Sequence, residues 1–155
     1  MKKIELMEIQ LIISLLQKSY EHDPWHGPSI KEILEGITEE QSLKHLPNTH
    51  SICELVAHMI AWREFVSLKL QGDKDFKMTD ELNFPIRNDW HEVLKELEKS
   101  QKNLVALLKQ FPETRLPETV PSVTNQYTFY ILLHGLIHHD IYHAGQISLI
   151  KKVLF

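Results

Sequence analysis

Hydrophobic residues recur every three or four positions along most of this chain, which is the period of an α-helix with one face in a core. Polar and charged residues fill the positions between them. Four long stretches share this pattern: residues 1 to about 20, 51 to about 72, 88 or 89 to 111, and about 126 to 153. Because no stretch shows the alternation of a half-buried strand, the pattern predicts an all-α protein.

The segments between these stretches carry helix start signals of their own. Ser29, Thr38 and Ser51 each stand three residues before a Glu or Gln, the spacing of a capping box. The first two signals predict two short helices between residues 29 and 45, and the third opens the second long helix. Residues 73–87 show no clear period and include Pro85, so we predict a long connection there, which is a common place for the rim of a binding site. We therefore expect a four-helix bundle with two short helices in the first connection, forming a single domain of residues 1–155.

Charge and cysteine content narrow the classes of protein. The net charge is −4, and no run of Lys or Arg is longer than two, which argues against a nucleic-acid partner because such binding needs a concentrated positive surface. The single cysteine, Cys53, offers no internal disulfide. No apolar run approaches the roughly 18 residues of a membrane span, and no secretory signal is visible. We expect a cytoplasmic protein without a membrane partner.

The strongest candidates for metal ligands lie in the last helical stretch. His139 and His143 are four residues apart, so a helix projects both imidazoles from one face, and that face also carries the apolar stripe. On the second long stretch, His58 lies among apolar residues of the core-facing stripe and is the best candidate for a third ligand. Three histidines with a fourth position open are typical of a catalytic metal site. We predict His58, His139 and His143 as metal ligands.

Other interpretations of these histidines stay open at this point. His134 and His138 form a rival pair with the same spacing, on a different face of the helix. A lone histidine on an apolar stripe, such as His58, is more often a hydrogen-bonded core residue than a ligand. The residue after His139 is Asp140, whereas zinc peptidases with this spacing place a Glu there, so peptidase chemistry is disfavoured.

Several neighbours of the predicted site are candidates for binding a cofactor or substrate. His26 on a proline-bounded loop, Trp62 and Gln146 are the three that we select. Glu54 either orients His58 from four residues away or completes the capping box, and the second role is favoured. His50, just before the Ser51 helix start, is a weaker candidate for reaching toward the metal, and an exposed turn histidine is the favoured interpretation.

The sequence also resembles a known family, the DinB-like metalloproteins. The resemblance rests on the run from His139 to Ile147 (HDIYHAGQI), on WHGPS at residues 25–29, and on HSI at residues 50–52 followed by His58. It implies a four-helix bundle, typically a homodimer, that holds a divalent metal such as zinc or nickel through His58, His139 and His143. The family is similar to the thiol transferases that use bacillithiol or mycothiol, and its name gives no reason to expect DNA binding.

The leading hypothesis is therefore a metal-dependent thiol S-transferase, in which the metal activates a low-molecular-weight thiol toward a small-molecule substrate. A hydrolase that uses a metal-bound water is the alternative enzyme. A non-catalytic metal-binding protein with a role in stress or in protein interaction is the alternative outside enzymes. The residues suggest no catalytic group beyond the metal ligands.

Overall fold

The computed structural model describes residues 7–124 and 126–155. Within those residues the secondary structure is helical, without strands, as the periodic pattern predicts. The predicted start of the first helix, before residue 7, lies outside the described residues. The long helices are α1 (Glu8–Tyr20), α4 (Ile52–Leu70), α6 (Trp90–Gln110) and α7 (Phe129–Leu154). The short ones are α2 (Ile30–Leu34), α3 (Glu39–Ser42), α5 (Asp80–Asn83) and a 3-10 turn at Glu113–Arg115.

The helix starts follow from local side-chain chemistry. The three predicted capping boxes, at Ser29, Thr38 and Ser51, are all present, with the hydroxyl accepting from the third backbone N–H and the third side chain accepting in return. Asp89 caps α6 in the same position, and Thr128 caps α7. These bonds satisfy backbone N–H groups that have no partner inside the helix, and they fix where each helix begins.

Two of the long helices, α6 and α7, pack against α4. This helix buries 15 of its 19 residues, because α6 and α7 both pack against it, and α1 packs against the same two helices. The all-α prediction is confirmed, and the single-domain assignment stays a prediction. In residues 7–124 and 126–155, no helix combines the length and the apolar character that crossing a bilayer requires.

The connection after α4 is more ordered than the sequence predicts. Thr79 caps the one-turn helix α5, a helix too short to show a hydrophobic period. The buried Lys69 donates from Nζ to the main-chain oxygens of Asp73, at 2.7 Å, and Phe76, at 2.8 Å. These two bonds hold the start of the connection against α4, and α5 itself contacts α4. The connection therefore covers one side of the central helix.

Candidate metal centre

Three histidine side chains converge where α4 packs against α7. The Nε2 atom of His139 lies 2.9 Å from Nε2 of His58 and 3.1 Å from Nε2 of His143. His58 and His143 are buried, with 5% and 7% of their surface exposed, and His139 is half-buried. Because His139 and His143 stand one turn apart on α7, packing of the two helices is enough to bring the three rings together.

Hydrogen bonds made by the Nδ1 atoms of His58 and His143 show which ring nitrogen carries the proton. His58 donates from Nδ1–H to the main-chain oxygen of Asn83 at 2.7 Å, and His143 donates from Nδ1–H to Oε1 of Gln146 at 2.6 Å. Both acceptors are oxygens without a hydrogen, so the ring proton must be on Nδ1. The Nε2 atoms of both rings are then bare lone pairs, and both are directed at His139.

This arrangement suits a bound cation. A neutral His139 carries at most one proton on Nε2, and one proton cannot form good hydrogen bonds to the Nε2 atoms of both His58 and His143. Four-coordinate zinc with bonds of 2.0–2.1 Å implies ligand separations of about 3.3 Å. Two of the three separations, 2.9 and 3.1 Å, are within a few tenths of an ångström of that value, and all three ligand atoms lie within 4.8 Å of one another. The three side chains form a group that could hold a metal ion.

Electrostatics keeps the two buried rings in the form that binds metals. Burial lowers the pKa of His58 to about 4, against the opposing effect of its hydrogen bond to Asn83. Burial also lowers the pKa of His143, although the bond to Gln146 opposes the shift. Both imidazoles are therefore neutral at pH 7, and no proton has to leave them before a metal binds.

The end of α5 forms a supporting layer around His58. The side-chain oxygen of Asn83 accepts from Trp62 Nε1–H at 2.9 Å, so the same residue holds both His58 and Trp62. The Phe84 ring stacks on the His58 ring at 4.1 Å between centroids and on the His50 ring at 3.9 Å. Residues of the connection thus fix the orientation of the His58 ring.

A buried ion pair lies directly beneath the cluster. Arg63 donates from Nη2 to Oδ2 of Asp140 at 2.8 Å, and both side chains are fully buried. Arg63 Nη1 also donates to Oε1 of Gln101 at 2.7 Å, which ties α6 to α4 and α7. The second carboxylate oxygen of Asp140 lies 4.0 Å from His139 Nδ1. The negative charge beside this ring favours a proton on Nδ1 and a lone pair on Nε2.

A cavity of about 550 Å³ opens beside the three rings. Its walls come from the middle of α4 and the first half of α7, together with Asn83 and Tyr127. A second, more polar pocket of about 470 Å³ adjoins it across Trp62, Asn83 and Tyr127. The cluster is therefore accessible to a small molecule, unlike a metal site that is closed by four protein ligands.

The structure brings some of the predicted binding residues to this site and leaves one apart. Trp62 lines the cavity, and Gln146 holds His143. His26 is exposed in the loop before α2 and is not among the residues that line the cavity. A role for His26 in binding stays a prediction.

The structure also separates the alternative roles considered for the other histidines and for Glu54. His134 and His138 stand outside the cluster, with ring centroids 6.4 Å apart. The suggestion that Glu54 orients His58 is wrong, because Glu54 accepts the Ser51 N–H at 2.8 Å while His58 is bound to Asn83. The favoured capping role is correct.

Sequence reasoning missed four residues that support the site. Asn83 and Phe84 lie in a segment without a period, so no local signal marks them. Arg63 and Asp140 had a signal that was overlooked. Each is a charged residue at a buried, core-facing position of an otherwise apolar helix, and two such charges of opposite sign on different helices suggest a pair.

The fold and the site together define a class: a helical protein in which histidines from two packed helices form a group that could hold a metal ion. The chain belongs to the DinB superfamily, whose family model matches residues 27–147. The match includes all three histidines of the cluster. No curated protein and no solved structure matches the chain at a significant level.

Proposed function

We propose that this protein is a metal-dependent thiol S-transferase whose divalent metal, zinc or nickel, is held by His58, His139 and His143. One observation carries the proposal: the unprotonated Nε2 atoms of His58 and His143 both face Nε2 of His139 beside an open cavity. Membership of the DinB superfamily is compatible with metal binding. The open side of the cluster leaves room for a thiol and its substrate.

A divalent metal at this position supplies Lewis acidity, which lowers the pKa of a bound thiol or water. The protein's own part is to hold the ligands and to shape the reaction space. Asn83 and Gln146 keep the His58 and His143 lone pairs available, and the cavity walls limit the water around the sulfur. In the transfer, the thiol loses its proton to solvent, its sulfur forms a bond to an electrophilic carbon, and the leaving group departs with its electron pair.

A thiol is favoured over water as the nucleophile because the described lining of the cavity has no carboxylate base to deprotonate water. Among the described residues that line the cavity, none is a carboxylate that could take a proton from water. Asp140 is close, but it is fully buried and paired with Arg63. A thiol ionises far more readily than water, with an ordinary pKa of about 8.5, so it needs the metal alone.

The test measures thiol transfer in zinc-loaded and nickel-loaded protein. 1-Chloro-2,4-dinitrobenzene is offered with cysteine, glutathione, bacillithiol or mycothiol, and the thioether is followed by absorbance. We expect thiol-dependent product in the wild type, its loss in His143→Ala, and its retention in His138→Ala, an exposed histidine of the same helix outside the cluster. Hydrolysis of 4-nitrophenyl acetate without any thiol transfer would identify a hydrolase instead. Metal binding with neither activity would contradict the enzyme assignment and support a non-catalytic protein.

We also propose a cytoplasmic homodimer. The cytoplasmic location is supported by the single, unpaired Cys53. The dimer is supported by exposed apolar residues at helical spacing along α7, here called the α7 outer stripe: Leu149 and Val153, together with Ile131 and Tyr142, which also line the cavity, all between 57% and 63% exposed. An apolar stripe at helical spacing is suited to pairing with a second copy of itself about a two-fold axis.

A further inference from the structure

We infer that the cavity beside the three histidines takes an uncharged, largely apolar small molecule, and that Gly135 keeps the space it needs. The inference rests on the proposed function, since it names the kind of substrate that would meet the nucleophile. It concerns the walls of the cavity rather than the metal, so it is testable without a metal.

The size and walls of the cavity suit a small apolar ligand. Its volume of about 550 Å³ is in the range of small-molecule sites, roughly 300–1,000 Å³. Val66 on α4 and Leu132 and Leu136 on α7 form buried apolar surface along it, and Trp62 adds an aromatic face. Because Val66, Leu132 and Leu136 are packed in the core, this wall exists before any ligand binds.

Without a metal, the described part of the cavity lining offers no opposite charge to an ionised ligand. Among the described residues that line it, none is an Asp, Glu, Lys or Arg. The side-chain oxygen of Asn83, which also lines the cavity, already accepts a hydrogen bond from Trp62 Nε1–H. A charged group that entered would lose its water without meeting an opposite charge, which is strongly unfavourable. Lys77 and Asp80 line the adjoining polar pocket, which none of the three histidines lines, and neither of them lines the cavity.

Gly135 is the residue whose small size keeps part of the cavity open. It lines the cavity one turn before His139 on α7, and a Cβ added there would meet no atom within 4 Å. A side chain at residue 135 would therefore begin in open space at the cavity wall, where its first atom meets no protein atom. Gly145, on the same helix, is also open to added atoms but does not line the cavity. The two glycines form a matched pair, since replacing either adds the same helix propensity.

The experiment measures binding of two probes of nearly equal shape by isothermal titration calorimetry. They are 2-naphthamide, which is uncharged, and 2-naphthoate, which is an anion at pH 7. Both are titrated into the full-length protein after chelation of metal, so that the carboxylate has no metal to bind, and 2-naphthamide is also titrated into the zinc-loaded protein. The variants are Gly135→Leu and Gly145→Leu, with circular dichroism to check that both are folded.

We expect 2-naphthamide to bind wild type and Gly145→Leu alike, with or without zinc, and to bind Gly135→Leu at least tenfold more weakly. We expect 2-naphthoate to bind the metal-free wild type at least tenfold more weakly than 2-naphthamide. Equal binding of the two probes, equal effects of the two Leu variants, or no binding of 2-naphthamide would each overturn the inference. Selective binding of 2-naphthamide in a protein without thiol transfer would leave the inference standing and remove only the proposed activity.

Discussion

The buried pair between Arg63 and Asp140 should be the most sensitive electrostatic contact in the protein. Asp140→Asn keeps the shape of the side chain and removes its charge, which leaves the Arg63 guanidinium fully buried without a counter-charge. Its hydrogen bond to Gln101 and its contact with the Tyr20 ring at 5.2 Å, both with uncharged groups, do not neutralise it. Breaking a buried pair from one side costs about 3–5 kcal/mol. With a urea dependence of roughly 2 kcal/mol per molar, the unfolding midpoint should fall by about 1.5–2.5 M.

The measurement is urea unfolding of the metal-free protein, followed by circular dichroism. Glu98→Gln is the matched control, because Glu98 pairs with Lys102 at a similar distance, 2.7 Å, but at an exposed position. Solvent screens that pair, so its loss should leave the midpoint nearly unchanged. The double variant Arg63→Met with Asp140→Leu should recover much of the loss, since apolar side chains replace a buried pair at little cost. A midpoint for Asp140→Asn no lower than that of Glu98→Gln would refute the reasoning.

Three further outcomes follow from particular side chains. The folded-state pKa of His58, about 4, is below the unfolded value of 6.5, so the unfolded chain gains a proton first as pH falls. The metal-free protein should therefore lose about 2 kcal/mol through His58 between pH 7 and pH 5 in urea titrations, and an equal loss in His58→Phe would contradict this. Leu149→Glu on the α7 outer stripe should convert dimer to monomer in sedimentation velocity without loss of metal, whereas an unchanged dimer would exclude that face. Ser51→Ala removes the α4 cap and should cost about 1 kcal/mol in thermal or urea unfolding; a neutral result would show that the cap does not stabilise α4.

Local sequence was sufficient to predict the long helices and the histidines that cluster between them. Ser51 and Thr38 start helices through bonds to residues three positions away, so their effect is readable without knowing the fold. His139 and His143 share a face because of helix geometry alone. His58 required one assumption, that its apolar stripe packs against the stripe on α7, and the structure meets it.

The supporting residues depend on contacts between distant segments. Asn83 reaches His58 through a main-chain oxygen, and every residue has one, so the side chain gives no sign of that role. Phe84 stacks on His58 in a connection that Lys69 and α5 attach to α4, and these contacts join residues far apart in the chain. The cavity likewise arises from the separation of α4 and α7 rather than from any one motif. Helix periodicity predicts which residues face a neighbour, but not where two helices leave a space between them.

The measurement that tests the central claim most directly is the metal content of untagged protein purified without added metal. Elemental mass spectrometry would compare the wild type with His58→Ala, His139→Ala and the control His138→Ala. The account predicts close to one zinc or nickel per chain in the wild type and in His138→Ala, and loss of the metal in the other two variants. No metal in the wild type, or metal retained by His58→Ala and His139→Ala, would contradict it.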